Sequence, residues 1–191
     1  SGQLAETGEL NWFRFNAKRG VVLWLEAYGE RIGAPLDLDV SILDESAERE
    51  LARFSDQTQN VGGTRFPSAH SDPSGRWVVP SDGQYLVLVR SLTGGAVADT
   101  RRVYRLSVRR EEPDFDLAVV PRRDDPTALN VQRGGRAIVD VLAFRRRGLT
   151  GAIRVSARNL PPGIECADVW LGTGVNRVPL IVTAAEQAQS F

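Results

Sequence analysis

The sequence has very few of the side chains on which most metal and nucleophile chemistry depends. It contains no methionine, a single cysteine, Cys166, and a single histidine, His70. One cysteine cannot form a disulfide within the chain, and with one histidine it leaves too few ligands for a zinc site. We therefore expect Cys166 to be a small buried apolar side chain and His70 to lie in a loop. A nucleophilic Cys166–His70 pair is the less favoured alternative.

Long apolar runs and an excess of one charge are also missing. The longest apolar runs extend over a handful of residues, whereas a membrane-spanning helix needs about 20. Lys plus Arg and Asp plus Glu are equal at 24 each, so the net charge is zero. This balance argues against a dedicated nucleic-acid or membrane-surface protein. The chain begins at Ser1 without Met or an apolar leader, so we expect a processed or excised fragment.

What the sequence does contain is an alternation of apolar and polar residues with a period of two. Five segments of the first half show it: "WFRFNA", "VVLWLEA", "LDVSIL", "QYLVLV" and "VYRLSV". Such alternation is typical of half-buried antiparallel strands, and it places Leu38, Val40 and Ile42 on one inward face. Turns rich in Gly and Pro separate the segments, which favours a β-sandwich. Residues 44–54 are rich in helix formers, and we predict a tight turn there with at most one helical turn.

A change in composition at "RREEPDFD" (109–116) marks an expected joint between two domains. After it the alternation restarts, and we predict about six strands, at 115–120, 129–135, 137–144, 152–157, 167–172 and 177–184. The chain is thus predicted to be all-β, with two antiparallel β-sandwich domains of jelly-roll or immunoglobulin-like type in tandem, at 1–111 and 112–191. The terminal "AAEQAQSF" shows no closing strand. Either the last strand lies beyond residue 191, or the domain exposes an open sheet edge.

Acidic residues near predicted strand ends raise the question of a calcium site. "LDLDVSILDE" (36–45) contains four carboxylates, and Asp56 and Asp72 lie near other strand ends. Calcium needs six to eight oxygens that converge from several groups, and the candidate ligands are Asp37, Asp56 and Asp72. No D-x-D-x-D-G loop is present, and Asp37 and Asp39 lie about 7 Å apart along a strand. The favoured reading has no cofactor, with Asp37 bonded to loop amides and Asp39 solvated; calcium is the alternative.

Motifs of enzymes are missing from the sequence. There is no G-x-S-x-G, and no phosphate-binding glycine motif follows a strand. A glycosidase needs two carboxylates about 5–10 Å apart, but acidic residues are so frequent here that such a pair is expected by chance. We therefore predict that the chain is not an enzyme.

Four tryptophans are divided by the alternation into two pairs. If Phe13 and Leu25 face the core, then Trp12 and Trp24 face outward, and we predict that they form an exposed pair on neighbouring hairpin strands. Outward tryptophans stack on sugar rings or bury against another protein surface. The alternatives are a pattern shifted by one residue or a face covered by the second domain. Trp77 and Trp170, both inside strand patterns, are predicted to lie in the core.

Several short motifs occur in the first half in a defined order. They are Gly8 through Phe15, "G-x-P-L-D" at Gly33 to Asp37, Asp56, Asp72, "P-x-D-G-x-Y" at Pro80 to Tyr85, and "Y-R-L" at Tyr104 to Leu106. Over about residues 3–110 this order resembles the bacterial pre-peptidase C-terminal domain. The second half, with "R-G-G" and "L-P-P-G", resembles a bacterial immunoglobulin-like domain more loosely. Related collagen-binding sandwiches hold calcium near their first strand through a carboxylate, but this chain has Asn11 there, with Glu9 nearby.

The resemblance implies a non-catalytic accessory or binding module of a larger secreted or cell-surface bacterial protein. Its expected partners are neighbouring domains of that protein and a polysaccharide or extracellular protein, with no nucleic acid and no membrane. The expected location is extracellular, at the cell surface or in the periplasm. A purely structural spacer between domains of an exported protein is the alternative.

Overall fold

Alternating residues form antiparallel strands throughout the part of the chain that the structure describes. The structure is a computed structural model and describes residues 1–93, 98–122 and 129–189. It divides into two compact units, Ser1–Asn60 with Ser68–Glu112, and Val61–Pro67 with Pro113–Phe191. The predicted all-β sandwich class is confirmed. In the described residues, no helix is long and apolar enough to cross a membrane.

Two four-stranded sheets form the first unit. Their strand orders are β1-β8-β3-β6 and β2-β7-β4-β5. The strands are β1 (Gly2–Gln3), β2 (Leu10–Ala17), β3 (Val22–Tyr28), β4 (Leu38–Asp44), β5 (Glu50–Phe54), β6 (Ser74–Val78), β7 (Gly83–Ser91) and β8 (Val103–Arg110), with a short 3-10 turn at Glu30–Ile32. The predicted inward face of β4 is confirmed, because Leu38, Val40 and Ile42 are buried in the main core.

The segment that is rich in helix formers contains no helical turn. Residues after Asp44 form a hairpin turn and then β5, which pairs with β4 through a register shift between Ile42 and Leu43. Val40 lies opposite Phe54, whose ring is buried in the core. The predicted tight turn is present and is followed by a strand, and the optional helical turn within 44–54 does not form. Burial of Phe54 and pairing with β4 outweigh a local helix preference of a few tenths of a kcal/mol per residue.

A four-stranded and a two-stranded sheet form the second unit. Its strands are β9 (Asp114–Pro121), β10 (Arg136–Arg146), β11 (Ile153–Val155), β12 (Ile164–Cys166), β13 (Val169–Leu171) and β14 (Arg177–Ala184). They form a sheet of order β12-β14-β10-β9 and a two-stranded sheet of β11 and β13. The strand predicted at 129–135 is absent, because Gln132–Gly135 closes a turn with a left-handed Gly134. The alternation of apolar and polar residues did not predict β12.

Strand β9 is an exposed edge of the second unit. Among the described residues it pairs only with β10, with Val119 opposite Val141 and Leu117 opposite Ala143. Val141 and Ala143 lie in the core, yet Phe115, Leu117 and Val119 on the same side of the sheet are exposed. Among the described residues, β9 is thus an open sheet edge.

Each unit holds a buried aspartate on the outer face of a central strand. Asp39 on β4 has no solvent exposure. It accepts hydrogen bonds from Arg53 of β5 at 2.7 Å and from Arg90 of β7 at 3.0 Å. The prediction that Asp39 is solvated is wrong, because the two arginine side chains on neighbouring strands cover it.

The same arrangement occurs around Asp140 on β10. Arg177 of β14 donates to its Oδ2 at 2.5 Å, and Arg122 donates to its Oδ1 at 3.0 Å. The hydrogen bond from Arg177 lowers the pKa of Asp140, burial opposes this, and Arg122 adds to the lowering. Each aspartate is therefore held between two arginines, one from the chain segment on either side of its strand.

We predict an asymmetry between removing the anion and removing its partners. Arg53→Met with Arg90→Met keeps apolar side chains over Asp39 but leaves its charge unpaired, and we expect a loss of about 3–5 kcal/mol in the free energy of unfolding. Asp39→Asn removes the buried charge, and we expect a smaller loss. Urea denaturation of the three chains measures both values. Equal stability of the double-arginine variant and the parent would contradict the role given to these ion pairs.

Candidate functional site

Trp12 lies in the middle of β2 and points away from the core. Its side chain is 46% exposed, and neighbouring Leu10 is similarly exposed. In register, Trp12 lies opposite Leu88 of β7. We call this surface the Trp12 face. It consists of Leu10, Trp12 and Arg14 of β2, and Leu86, Leu88 and Arg90 of β7. It is a mixed apolar and basic patch on one outer face of the first unit.

Trp24 does not lie beside Trp12. Strand β3 belongs to the other sheet of the first unit, where Trp24 lies opposite Arg76 of β6 and Arg109 of β8. It is half-buried, and its Nε1 is buried without a hydrogen-bond partner among the described residues. The predicted exposed pair on neighbouring strands is wrong, because the short β2–β3 connection crosses between sheets instead of forming a hairpin.

The second pair of tryptophans also separates. Trp77 of β6 lies in the core, with its ring centroid 4.9 Å from that of Tyr85, as predicted. Trp170 of β13 is 60% exposed, and the prediction that it is a core residue is wrong. Val169 and Leu171 on either side of it point into the unit, so Trp170 must point out. The alternation "V-W-L" in the sequence is enough to predict that Trp170 points away from Val169 and Leu171.

Asp72 anchors the connection between β3 and β4. Its Oδ1 accepts the backbone N–H groups of Gly29 at 2.7 Å and Glu30 at 2.8 Å. Its Oδ2 accepts the backbone N–H of Arg31 at 3.0 Å and the Arg31 Nε–H at 2.8 Å. Burial pushes the pKa of Asp72 upward, but these hydrogen bonds outweigh it and the net pKa is lowered. Four donors already occupy the carboxylate that was a calcium candidate.

Asp37 has a pKa that is raised above the ordinary value of an aspartate. Burial raises the pKa of Asp37, and the negative charges of Asp56, Asp39 and Glu30 raise it further. Its Oδ1 is buried and has no hydrogen-bond partner among the described residues. The predicted bonds from loop amides are therefore absent at this oxygen. Asp56, the third candidate ligand, is exposed and acts on Asp37 through its charge.

The structure does not assemble Asp37, Asp56 and Asp72 into a metal site. Within residues 1–93, 98–122 and 129–189, no group of three or more His, Cys, Asp or Glu side chains is arranged to hold a metal ion. Calcium needs several oxygens with free lone pairs, and Asp72 contributes none. The sequence alone could not show this, because the donors to Asp72 come from residues more than forty positions away.

The side-chain amide of Asn11 forms hydrogen bonds within the fold. Asn11 Oδ1 accepts the hydroxyl of Tyr104 at 2.7 Å, and its Nδ2 donates to Glu9 at 3.4 Å. Burial, with the Glu9 charge, raises the pKa of Tyr104 to about 12, so the hydroxyl remains a donor. The amide thus ties β2 to β8.

Cys166 and His70 do not form an activated nucleophile and base. Burial raises the pKa of the Cys166 thiol, and Asp168 raises it further, so the thiol stays protonated. Burial and the Arg31 charge lower the pKa of His70, against weaker opposing contributions. His70 Nδ1 is buried without a hydrogen-bond partner in the described part of the chain.

Comparisons with protein-family models, with curated proteins and with solved structures gave no match for this chain. The resemblances to a pre-peptidase C-terminal domain and to an immunoglobulin-like domain therefore stay predictions.

We predict that Asp72 stabilises the fold only when ionised. Because its pKa is lowered in the folded state, its contribution is present above the unfolded value of about 3.9 and is lost as the pH falls through the folded value. Asp72→Asn should cost about 2–4 kcal/mol at neutral pH, since it leaves backbone N–H groups without an anionic acceptor. Urea denaturation at pH 7 and pH 3 should show this loss shrinking at low pH. Exposed Glu48→Gln is the control, and a pH-independent loss would contradict the prediction.

We predict the opposite sign for Asp37. A carboxyl whose pKa is raised by folding destabilises the folded state above its unfolded pKa, and this penalty disappears at lower pH. Asp37→Asn should raise the melting temperature at pH 7 and have little effect at pH 3. The same melting curves with calcium or a chelator test the metal hypothesis, because a ligand that binds the folded state raises its stability. A rise with calcium that Asp37→Asn abolishes would restore the calcium site.

Proposed function

We propose that this chain is a non-catalytic binding module of an exported bacterial protein, and that it contacts a protein partner through the Trp12 face. The observation that carries this proposal is the exposed Trp12 at the centre of a strand, beside exposed Leu10 and half-buried Leu88. Trp and Arg are the residue types that most often dominate the binding free energy at protein interfaces. The Trp12 face supplies both, with Arg14 and Arg90 beside the apolar residues.

A protein partner fits this face better than a carbohydrate. Sugar recognition combines an aromatic surface with polar groups that bond to hydroxyls. The nearest outward polar groups of β4 are already used: Asp39 binds two arginines, and Ser41 Oγ donates to Glu50 at 2.7 Å. Both residues are buried. The accessible part of the face is mainly apolar and cationic, which suits burial against another protein.

A non-catalytic role is supported by the state of the carboxylates. Asp39, Asp72 and Asp140 are each held by arginine or backbone donors. A general acid or base needs an atom within reach of a substrate proton. Burial and neighbouring carboxylates raise the pKa of Asp37, but its Oδ1 is buried and so lies out of reach of a substrate proton. An extracellular, cell-surface or periplasmic location follows from the resemblance alone.

The test compares two exposed tryptophans. Trp12→Ala and Trp170→Ala are matched, since both side chains lie on strands and are exposed. Immobilised collagen and fibronectin serve as protein probes, with chitin and cellulose as polysaccharide probes. We expect binding to a protein probe that Trp12→Ala weakens by roughly tenfold or more and that Trp170→Ala leaves unchanged. Both variants should unfold within about 0.5 kcal/mol of the parent, because neither side chain is buried.

Three outcomes would contradict this proposal. Binding that survives Trp12→Ala would exclude the Trp12 face as the contact. Binding to polysaccharide alone would show that the partner class is wrong. If no probe binds the parent chain and both variants behave like it, the spacer alternative is favoured instead.

A further inference from the structure

A groove opens between the two sheets of the first unit, at the end where β2 and β8 finish. Its volume is about 750 Å³, which is within the usual range for binding clefts. Apolar side chains from three strands line it, among them Phe15, Ala17, Leu23 and Val108. It lies away from the Trp12 face, because Phe15 and Ala17 point to the opposite side of β2 from Trp12.

Backbone edges border this groove on both sides. Strand β1 pairs with β8 only at Val103 and Tyr104. Beyond that point, Leu106–Arg110 pairs with β3 on one side and has no strand on the other among the described residues. Strand β2 likewise pairs only with β7 in the described part of the chain. The free length of β8 is five residues, which corresponds to about 16 Å of extended chain.

The space beside β8 is open although the side chains next to it face inward. Val108 lies opposite Leu25, whose side chain is 1% exposed, and so both point to the same face of the sheet. Val108 is nevertheless 36% exposed. An apolar side chain on the core face of a sheet is normally covered by a neighbouring layer. An extended segment that continued the line of β1 along β8 would cover it.

The rim of the groove is basic. Lys18 and Arg110 lie at its border and form no ion pair with any described residue. Arg109 is a third cation there, and its Nε donates to Ser107. The acidic residue of the rim, Asp82, already accepts the backbone N–H of Arg19 at 2.7 Å. The charge of the rim therefore complements carboxylates.

We propose that this groove binds an extended peptide segment in which apolar residues alternate with acidic ones. The segment adds to the free edge of β8 at Leu106–Arg110, so that its backbone pairs with unpaired N–H and C=O groups. Its apolar side chains lie on the face of Val108 and contact Phe15 and Val108, and its carboxylates lie on the opposite face, near Arg105 and Arg109. This surface is independent of the Trp12 face and does not rest on the function proposed above.

The test uses defined peptides and the whole chain. A fluorescein-labelled heptapeptide of alternating glutamate and valine is the probe, and fluorescence anisotropy measures its affinity. A lysine–valine heptapeptide tests the charge preference, and a glutamate–valine peptide with N-methylated valines tests the backbone pairing. We expect binding of the first peptide only, with amide resonances of Leu106–Val108 shifted in spectra of the ¹⁵N-labelled chain.

Matched variants separate the groove from other basic surfaces. Arg105→Glu with Arg109→Glu should weaken binding by about tenfold or more, because both side chains lie on the face that the carboxylates of the peptide occupy. Arg158→Glu is the control, because Arg158 is an exposed arginine of the second unit and does not line the groove. Trp12→Ala should leave peptide binding unchanged, so failure of the proposed function and failure of this inference are distinguishable.

Four results would overturn the inference. They are no binding of the glutamate–valine peptide, equal binding of the lysine or N-methylated peptide, an unchanged affinity after charge reversal, and resonance shifts confined to the Trp12 face. A fifth result would assign the groove to an anionic polysaccharide and overturn the inference. In that case polygalacturonate displaces the peptide, and the N-methylated peptide binds as tightly as the unmethylated one.

Discussion

In each unit, a buried carboxylate on the outer face of a central strand requires positively charged partners from the neighbouring segments. When Leu38, Val40 and Ile42 point into the core, Asp39 between them must point out. Side chains from the neighbouring strands cover Asp39, so its charge needs partners within the protein. Arg53 and Arg90 supply them from the two neighbouring strands, and Arg122 and Arg177 do the same for Asp140. Each ion-pair cluster joins three consecutive segments of a sheet.

These internal ion pairs leave few polar groups for chemistry. Asp39, Asp72 and Asp140 are held by donors within the fold, and Cys166 and His70 are held in their neutral forms by burial. The Trp12 face and the groove beside β8 are apolar and cationic surfaces. Such surfaces suit the recognition of another chain, which needs shape, apolar area and complementary charge.

Local patterns predicted strands, but they could not predict which strands are neighbours. The inward residues of β4 and the burial of Trp77 follow from alternation within one segment, and both are confirmed. The pairing of Trp12 with Trp24 required β2 and β3 to share a sheet, and they do not. The arginines that bind Asp39 lie 14 and 51 residues away in sequence. Contacts of that separation are decided by sheet order, which a period of two does not contain.

The two free sheet edges differ in what they would accept. Acidic and basic groups are mixed along β9, where Asp114 pairs with Arg147 and Asp116 with Arg146. The end of β8 presents only positive charges, at Arg105, Arg109 and Arg110. Two copies of this edge would repel each other if they met, which opposes self-association through it. The same charges attract an acidic strand, so one set of residues both blocks the wrong pairing and selects the proposed one.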